Sequence, residues 1–305
     1  MRLSSQLKLR HLEVFVEVAR KMSVTQAAER LGMTQPAVTR ALRELEAVCE
    51  KPLVEKHGRG IRLSAYGEMF RDYAGRSLAL TRDGVEMLRG LDAAEGSKVT
   101  IGALPTVSAT VVPEALASIW EQGGRNRFSV MSGDNQYLLD LLRRGELDVV
   151  VGRLPAPENM VGLDFDPLFR ERVTVVVAPD HPLTRLDAAQ LPDALFGKYP
   201  VLMPPPASII RSSVERMFLE QGIPMPDAAI ETVSSTFGRQ FTLAHQAIWV
   251  ISHGVVRSDL ASGVLVALPL DTDSTRGPVG LCLRSEHRLS PAAARFCAAL
   301  KNVCS

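Results

Sequence analysis

Cysteine is scarce in this 305-residue chain. Cys49, Cys282, Cys297 and Cys304 are its four, and their spacing fits neither a disulfide framework nor a metal site. Histidine is equally thin: six are scattered without an HxH or HxxxH pair, so neither a metal nor another resident cofactor is expected. No run approaches the roughly 20 apolar residues of a membrane helix. The N-terminal MRLSSQLKLRHLE carries basic residues but no apolar segment of the kind that directs secretion. Together these absences predict a cytoplasmic protein with reduced thiols and no membrane partner. The GxSxG elbow, the P-loop and the GxGxxG fingerprint are missing too, and His245 and His253 stand isolated. A non-enzyme is therefore expected.

Net charge is nearly absent as well, at +1, but it is unevenly placed. Residues 1–63 hold 12 Lys/Arg against 7 Asp/Glu, a local +5 that leaves −4 for the rest. A basic module on an acidic body points to an anionic partner for the first part only. Hydrophobic content of 46% and charged content of 23% are those of a globular chain, here long enough for two or three domains.

What is present begins with Leu9, Leu12, Phe15, Val16 and Ala19, whose spacing predicts a first helix over about 9–22. Ser23 with Gln26 reads as a capping box for a second helix that Gly32 ends. Thr34 then caps a third, with Pro36 in its first turn, where a missing N–H is harmless. Val38, Leu42, Leu45 and Val48 form its buried stripe, while Gln35, Thr39, Arg40 and Arg43 fall mostly on the other side. Such a face suits a recognition helix in a DNA groove: Gln35 pairs with adenine, and Arg40 or Arg43 with guanine or phosphate. PLVEKHGRGIRLS follows as a hairpin wing with Arg59 at its tip, placed for a minor groove.

HLEVFVEVARKMSVTQAAERLGMTQPAVTRALRELE, followed by PLVEKHGRGIRLSAYGE, resembles the DNA-binding region of LysR-type transcriptional regulators. The resemblance extends over essentially the whole chain. It implies that Thr34, Gln35, Pro36, Ala37, Thr39, Arg40 and Arg43 face double-stranded DNA, with Arg59 on the wing. Serine is frequent in that family where Ala37 stands, so a thymine-methyl contact replaces a hydroxyl one there.

The expected fold class is α/β with an N-terminal winged helix-turn-helix, a long linker helix and a two-lobed periplasmic-binding-protein-like effector domain. From Tyr66 to about Leu91, the residues Phe70, Ala74, Leu78, Val85 and Leu88 form a stripe expected to pair with a second copy of the chain. Residues 92–98 read as a hinge. Beyond them βαβ alternation predicts parallel sheets covered by helices. The domain boundaries read as 1–65, 66–93, 99–166 with 270–303 for the first lobe, and 167–269 for the second.

A small ligand is expected between the lobes, at strand C-terminal ends. Thr106 and Ser108, in the ALPTVSAT segment with Pro105 and Val107, are expected near a helix N-terminus that favours anions. Asn135 and Arg153 follow later strands; Ser208 comes from PPPASIIR, and Ser234, Ser235 and Phe237 from TVSSTFGR. Arg211 and Arg239 are secondary candidates. By position, the family resemblance also implies effector contacts at Thr106, Ser108, Asn135 and Arg153. IGALPTVSA, VVGRLPAPENM, YPVLMPPPASIIR and DTDSTRGPVGL look like the branch of that family that holds the regulator of the protocatechuate operon. This implies a carboxylated aromatic-pathway effector, activation of its catabolic genes, contact with RNA polymerase and a homotetramer of linker-paired dimers. A branch controlling sugar-binding-protein genes is the alternative, and a solute-binding protein or an enzyme the remote ones. On this reading Arg40→Ala costs about 1–3 kcal/mol of specific over non-specific DNA binding, measured by competition between duplexes.

Overall fold

Local signals bound each of the first helices in the computed structural model, which describes residues 7–58, 60–90, 98–285 and 288–305. Helix α1 (Leu9–Lys21) buries Leu12, Phe15 and Val18. Helix α2 (Val24–Leu31) begins at Ser23, whose Oγ accepts the Gln26 N–H at 3.4 Å, and stops at Gly32, whose φ of 62° is the left-handed turn that glycine adopts without strain. Helix α3 (Gln35–Cys49) has Thr34 at its cap position and Pro36 in the first turn. The Thr34 side chain makes no capping hydrogen bond, so it contributes through its backbone, whose carbonyl accepts from Val38 N–H at 3.1 Å.

Strands β1 (Val54–His57) and β2 (Gly60–Leu63) pair antiparallel as the wing. Glu46 of α3 fixes the wing's entry, its Oε1 accepting from the N–H groups of Leu53 at 2.8 Å and Val54 at 3.1 Å. Ser64 closes the exit: its Oγ donates to Pro52 O at 2.6 Å and accepts from Gly67 N–H at 3.0 Å. Gly67 lies so close that a Cβ there would stand 2.0 Å from Leu53 O. Helix α4 (Ala65–Gly90) follows. Phe70, Ala74 and Leu78 pack into the core of α1–α3, with the Phe15 and Phe70 rings 5.4 Å apart. This corrects the expected linker stripe: its first half is used inside the same unit. Among the described side chains the large apolar ones exposed on α4 are Tyr66, Met69, Tyr73, Leu80 and Val85, of which Val85 belongs to the expected stripe. The side chain of Leu88 and residues 92–97 of the expected hinge lie outside the described residues.

A second compact unit, Glu95–Leu139 with Asp148–Ser305, holds the α/β body apart from Asp140–Leu147, which group with the first. In chain order it runs β3 (Lys98–Ala103), α5 (Pro105–Ser108), α6 (Val111–Glu121), β4 (Arg127–Ser132), α7 (Asn135–Arg143), β5 (Val149–Arg153), β6 (Leu163–Glu171) and β7 (Val173–Val177). Next come α8 (Leu191–Ala194), β8 (Val201–Met203), α9 (Arg211–Glu220), β9 (Ile230–Glu231), α10 (Ser235–His245) and β10 (Ile248–Ser252). The chain closes with α11 (His253–Ala261), β11 (Val266–Ala267), β12 (Gly277–Arg284) and α12 (Pro291–Cys304). One sheet has the order β4-β3-β5-β12-β6 and the other β11-β7-β10-β8-β9. Both are mixed rather than purely parallel: β12 runs antiparallel to β5 and β6, and β7 antiparallel to β10. These are the strands by which the chain enters and leaves each lobe.

The crossing point also differs from the expected boundary between 166 and 167. Strand β6 stays paired with β12 as far as Glu171, and β7 begins in the other sheet at Val173, so Arg172 alone spans the step. The LDFDPLFRE stretch conceals this strand because Pro167 reads as a break; β6 is an edge strand, where proline is tolerated. In the second lobe Val173, Val175 and Val177 face one apolar cluster with Met217 and Phe218, while Val176 faces another with Trp249. Alternation along a strand covered on both faces gives this division.

Glu46→Ala removes the acceptor for two backbone N–H groups and is expected to destabilise the N-terminal unit by about 1–3 kcal/mol. Both tryptophans, Trp120 and Trp249, lie in the other unit. The loss is therefore read as faster amide exchange in α1–α3 with tryptophan emission unchanged.

Candidate functional site

Two places gather the chemistry that the sequence singles out. The first is the outer face of α3. Thr34, Gln35, Pro36, Arg40 and Arg43 are exposed, and Ala37 and Thr39 are half-buried. Gln35, Pro36, Thr39, Arg40 and Arg43 line one open groove with Glu44 and Ala47, opposite the buried Val38, Ala41, Leu42 and Leu45. Arg40 Nε lies 3.3 Å from Glu44 Oε1. Arg59 lies outside the described residues.

The second place is a cleft with an empty volume of about 570 Å³, part of it open to solvent. Leu104, Pro105, Thr106, Asp134, Asn135 and Arg153 line it from the first lobe. Pro204, Ser208, Ile209, Ile210, Thr232, Val233, Ile251, Ser252 and Val255 line it from the second. These residues stand at or just beyond the C-terminal ends of β3, β4, β5, β8, β9 and β10, the position that α/β sheets offer to ligands. Aliphatic side chains alternate there with seven polar residues, Thr106, Asp134, Asn135, Arg153, Ser208, Thr232 and Ser252.

At the floor sits a buried polar knot. Arg153 is 5% exposed; Nη1 donates to Thr275 O at 3.2 Å and Nη2 to Glu171 O at 3.1 Å. Burial lowers the proton affinity of its guanidinium, and the Glu171 charge, with Oε2 3.9 Å from Nη2, offsets part of that. Glu171 is 7% exposed, and its Oε1 accepts from Thr106 Oγ1 and, at 2.7 Å, from Gly254 N–H. Arg153 Nε and Asn135 Oδ1 are buried without a hydrogen-bond partner. A donor and an acceptor are thereby left open on the residues lining the cleft, each costly to leave unsatisfied.

The cleft gathers Pro105, Thr106, Asn135, Arg153 and Ser208 of the expected ligand residues and leaves out the others. Val107 is fully buried in the core. Ser108 Oγ donates back to Ala103 O at 3.3 Å. Ser234 Oγ accepts from Phe237 N–H at 3.3 Å as the cap of α10, and Ser235 is exposed nearby. The Phe237 ring stacks on Phe241, 5.4 Å between centroids. Arg211 pairs with Glu215 and Glu231, and Arg239 with Asp259. The anion-favouring helix end is also corrected: α5 is one turn long, and the chain's own Glu171 already takes the Thr106 hydroxyl. Sequence reasoning missed Glu171, Ser252 and the aliphatic wall. Ser252 ends β10 as the other polar residues end their strands, a signal the WVISHG stretch did carry. Cys297 is no nucleophile in waiting, since burial pushes its thiol up to about 11.

Comparison with known proteins agrees with this layout. Residues 9–68 match the family of bacterial regulatory helix-turn-helix proteins of the lysR type, and residues 92–305 match the LysR substrate binding domain. The HTH-type transcriptional regulator PcaQ of Agrobacterium fabrum is 45% identical over 281 residues, which cover 92% of this chain and 90% of that one. Among solved structures, a full-length OxyR variant from Pseudomonas aeruginosa superposes with a TM-score of 0.71 at 21% identity, over 97% of this chain and 95% of that one. Full-length CbnR in complex with its target DNA does so with a TM-score of 0.63 at 21% identity, over 97% of this chain and 100% of that one.

A Cβ at Gly254 would stand 2.5 Å from both Glu171 Oε1 and Thr106 Oγ1. Gly254→Ala is therefore expected to force the knot apart and cost about 1–3 kcal/mol. Urea unfolding of the second unit, followed by tryptophan emission, checks this.

Proposed function

The chain belongs to the LysR family of bacterial transcriptional regulators, and on that premise we propose that it is an effector-responsive activator of genes for aromatic-acid catabolism by the protocatechuate and β-ketoadipate route. The observation that carries the reading is the composition of the cleft. Leu104, Ile209, Ile210 and Val255 offer an aliphatic slot, and Arg153 Nε and Asn135 Oδ1 stand buried without partners among the lining residues. A compact acid satisfies both, its carboxylate accepting from Arg153 and a hydroxyl or a second, protonated carboxyl group donating to Asn135. Thr106, Ser208 and Ser252 supply further hydroxyls. An acid uses the fixed positive charge of Arg153, which a neutral sugar does not, and this favours a carboxylate effector over a regulator of sugar uptake. The 45% identity to PcaQ, the relative named above, supports the same branch.

In this account the exposed face of α3 enters the DNA major groove, Gln35, Thr39, Arg40 and Arg43 meeting base edges or phosphates. The apolar residues exposed on α4, Tyr73, Leu80 and Val85 among them, pair with a second copy. A two-fold dimer then reads a split site, and two dimers make the tetramer. The acid bridges both lobes, so it favours one lobe arrangement to the extent that it binds that arrangement more tightly. The change passes to the DNA contacts and to RNA polymerase in the cytoplasm.

The test is a thermal-shift screen of the full chain against carboxylated intermediates of the β-ketoadipate pathway, with neutral sugars as the contrast. At 100-fold over its dissociation constant a ligand adds about 2.7 kcal/mol, enough to raise the melting temperature by several degrees. The carboxylates are expected to give that rise and the sugars none. Stabilisation by a sugar with no response to any carboxylate would overturn the reading.

A further inference from the structure

Glu44 is an odd residue for a DNA-facing groove. It lines that groove with Gln35, Arg40 and Arg43, and an exposed carboxylate there repels the phosphates. Resting on the reading that α3 meets DNA, we propose that Glu44 is a positioning residue for base recognition. Anchored by buried His11, it holds Arg40 through Nε and leaves the two terminal nitrogens of the guanidinium for the DNA.

An exposed Arg–Glu pair one helical turn apart is normally loose, each long side chain sampling many rotamers. Here the carboxylate is pinned from behind. His11 of α1 is 3% exposed, and its Nε2 lies 3.2 Å from Glu44 Oε2. Its Nδ1 accepts the Lys8 backbone N–H at 3.4 Å, so Nε2 carries the ring proton and donates it to the carboxylate. The other oxygen, Oε1, lies 3.3 Å from Arg40 Nε. A buried imidazole thus orients an acid, and the acid orients a base-reading arginine, across 33 residues of sequence. With the Nε side of the guanidinium drawn toward this carboxylate as an ion pair, the Nη1 and Nη2 edge presents parallel donors that match O6 and N7 of guanine. Ordering Arg40 before contact removes part of the rotamer cost of binding, and it favours one approach angle and hence one base.

Two effects separate such a positioning residue from a merely solvated acid. Full-length protein is bound to a library of random duplexes, and the retained sequences are read for wild type, Glu44→Ala, Glu44→Gln, His11→Phe, His11→Gln and Arg40→Ala. Arg40→Ala identifies the base position that Arg40 reads. Glu44→Ala is expected to relax the preference at that one position by about tenfold, the scale of a lost bidentate contact, while affinity for non-specific duplex rises. Glu44→Gln keeps an acceptor for Arg40 and falls between. His11→Phe relaxes the same position, and His11→Gln, which restores an N–H donor, recovers the wild-type profile. Tighter binding by Glu44→Ala with every base preference unchanged would overturn the proposal. Should His11→Phe fail to fold, Glu44→Ala, on an exposed side chain, decides alone. A wild-type protein that enriches no sequence contradicts the DNA-facing reading of α3 instead, and the proposal falls with it.

Discussion

A single buried carboxylate sits where the two lobes of the body are joined. Glu171 ends β6 of the first sheet, one residue before the chain enters the second. Its Oε1 accepts from the Thr106 hydroxyl of α5, just beyond β3, and from the Gly254 amide at the start of α11, which follows β10. Removing such a group from water costs several kcal/mol, and the nearby Arg153, the hydroxyl and the amide offset it. Breaking any one partner therefore leaves the others exposed to that cost. Because Thr106, Arg153 and Ser252 also line the cleft, a ligand there meets the lobes at the point where they are tied.

The N-terminal unit uses the same device for another end. Glu46 gathers two backbone N–H groups and so sets how the wing leaves α3. Two residues earlier Glu44 takes a buried imidazole on one oxygen and an exposed guanidinium on the other. Successive acids of one helix thus face inward and outward, one toward the wing and one toward the groove lined by Arg40. A charged acceptor suits the first task, since its hydrogen bonds to backbone N–H groups are stronger than those of a neutral one.

How much of this was readable in the sequence depended on the range of the interaction. The caps and stops of α1–α3 were visible because Ser23, Gly32 and Pro36 act within a few residues of their own position. Strand-end residues such as Thr106, Asn135 and Arg153 could be placed at the cleft because the βαβ pattern locates strand ends without knowledge of the packing. Side chains that cap or pair locally were harder to sort, since Ser234 looks alike as a helix cap and as a ligand contact. The stripe on α4 misled because periodicity shows that a face is apolar, not which surface covers it; Phe70 and Leu78 meet their own unit. Glu171 was invisible: its partners Thr106 and Gly254 are 65 and 83 residues away, and nothing local marks it as buried.

A carboxylated ligand, if it closes on the strand ends around the knot as proposed, shields their backbone amides. Hydrogen–deuterium exchange of the full chain, at a ligand concentration that saturates the thermal shift, reads this directly. Slower exchange is predicted in residues 104–110, 133–138, 204–211 and 250–256, which hold both walls of the cleft and the Gly254 amide. Protection confined to other segments, with these four unchanged at saturation, would contradict it.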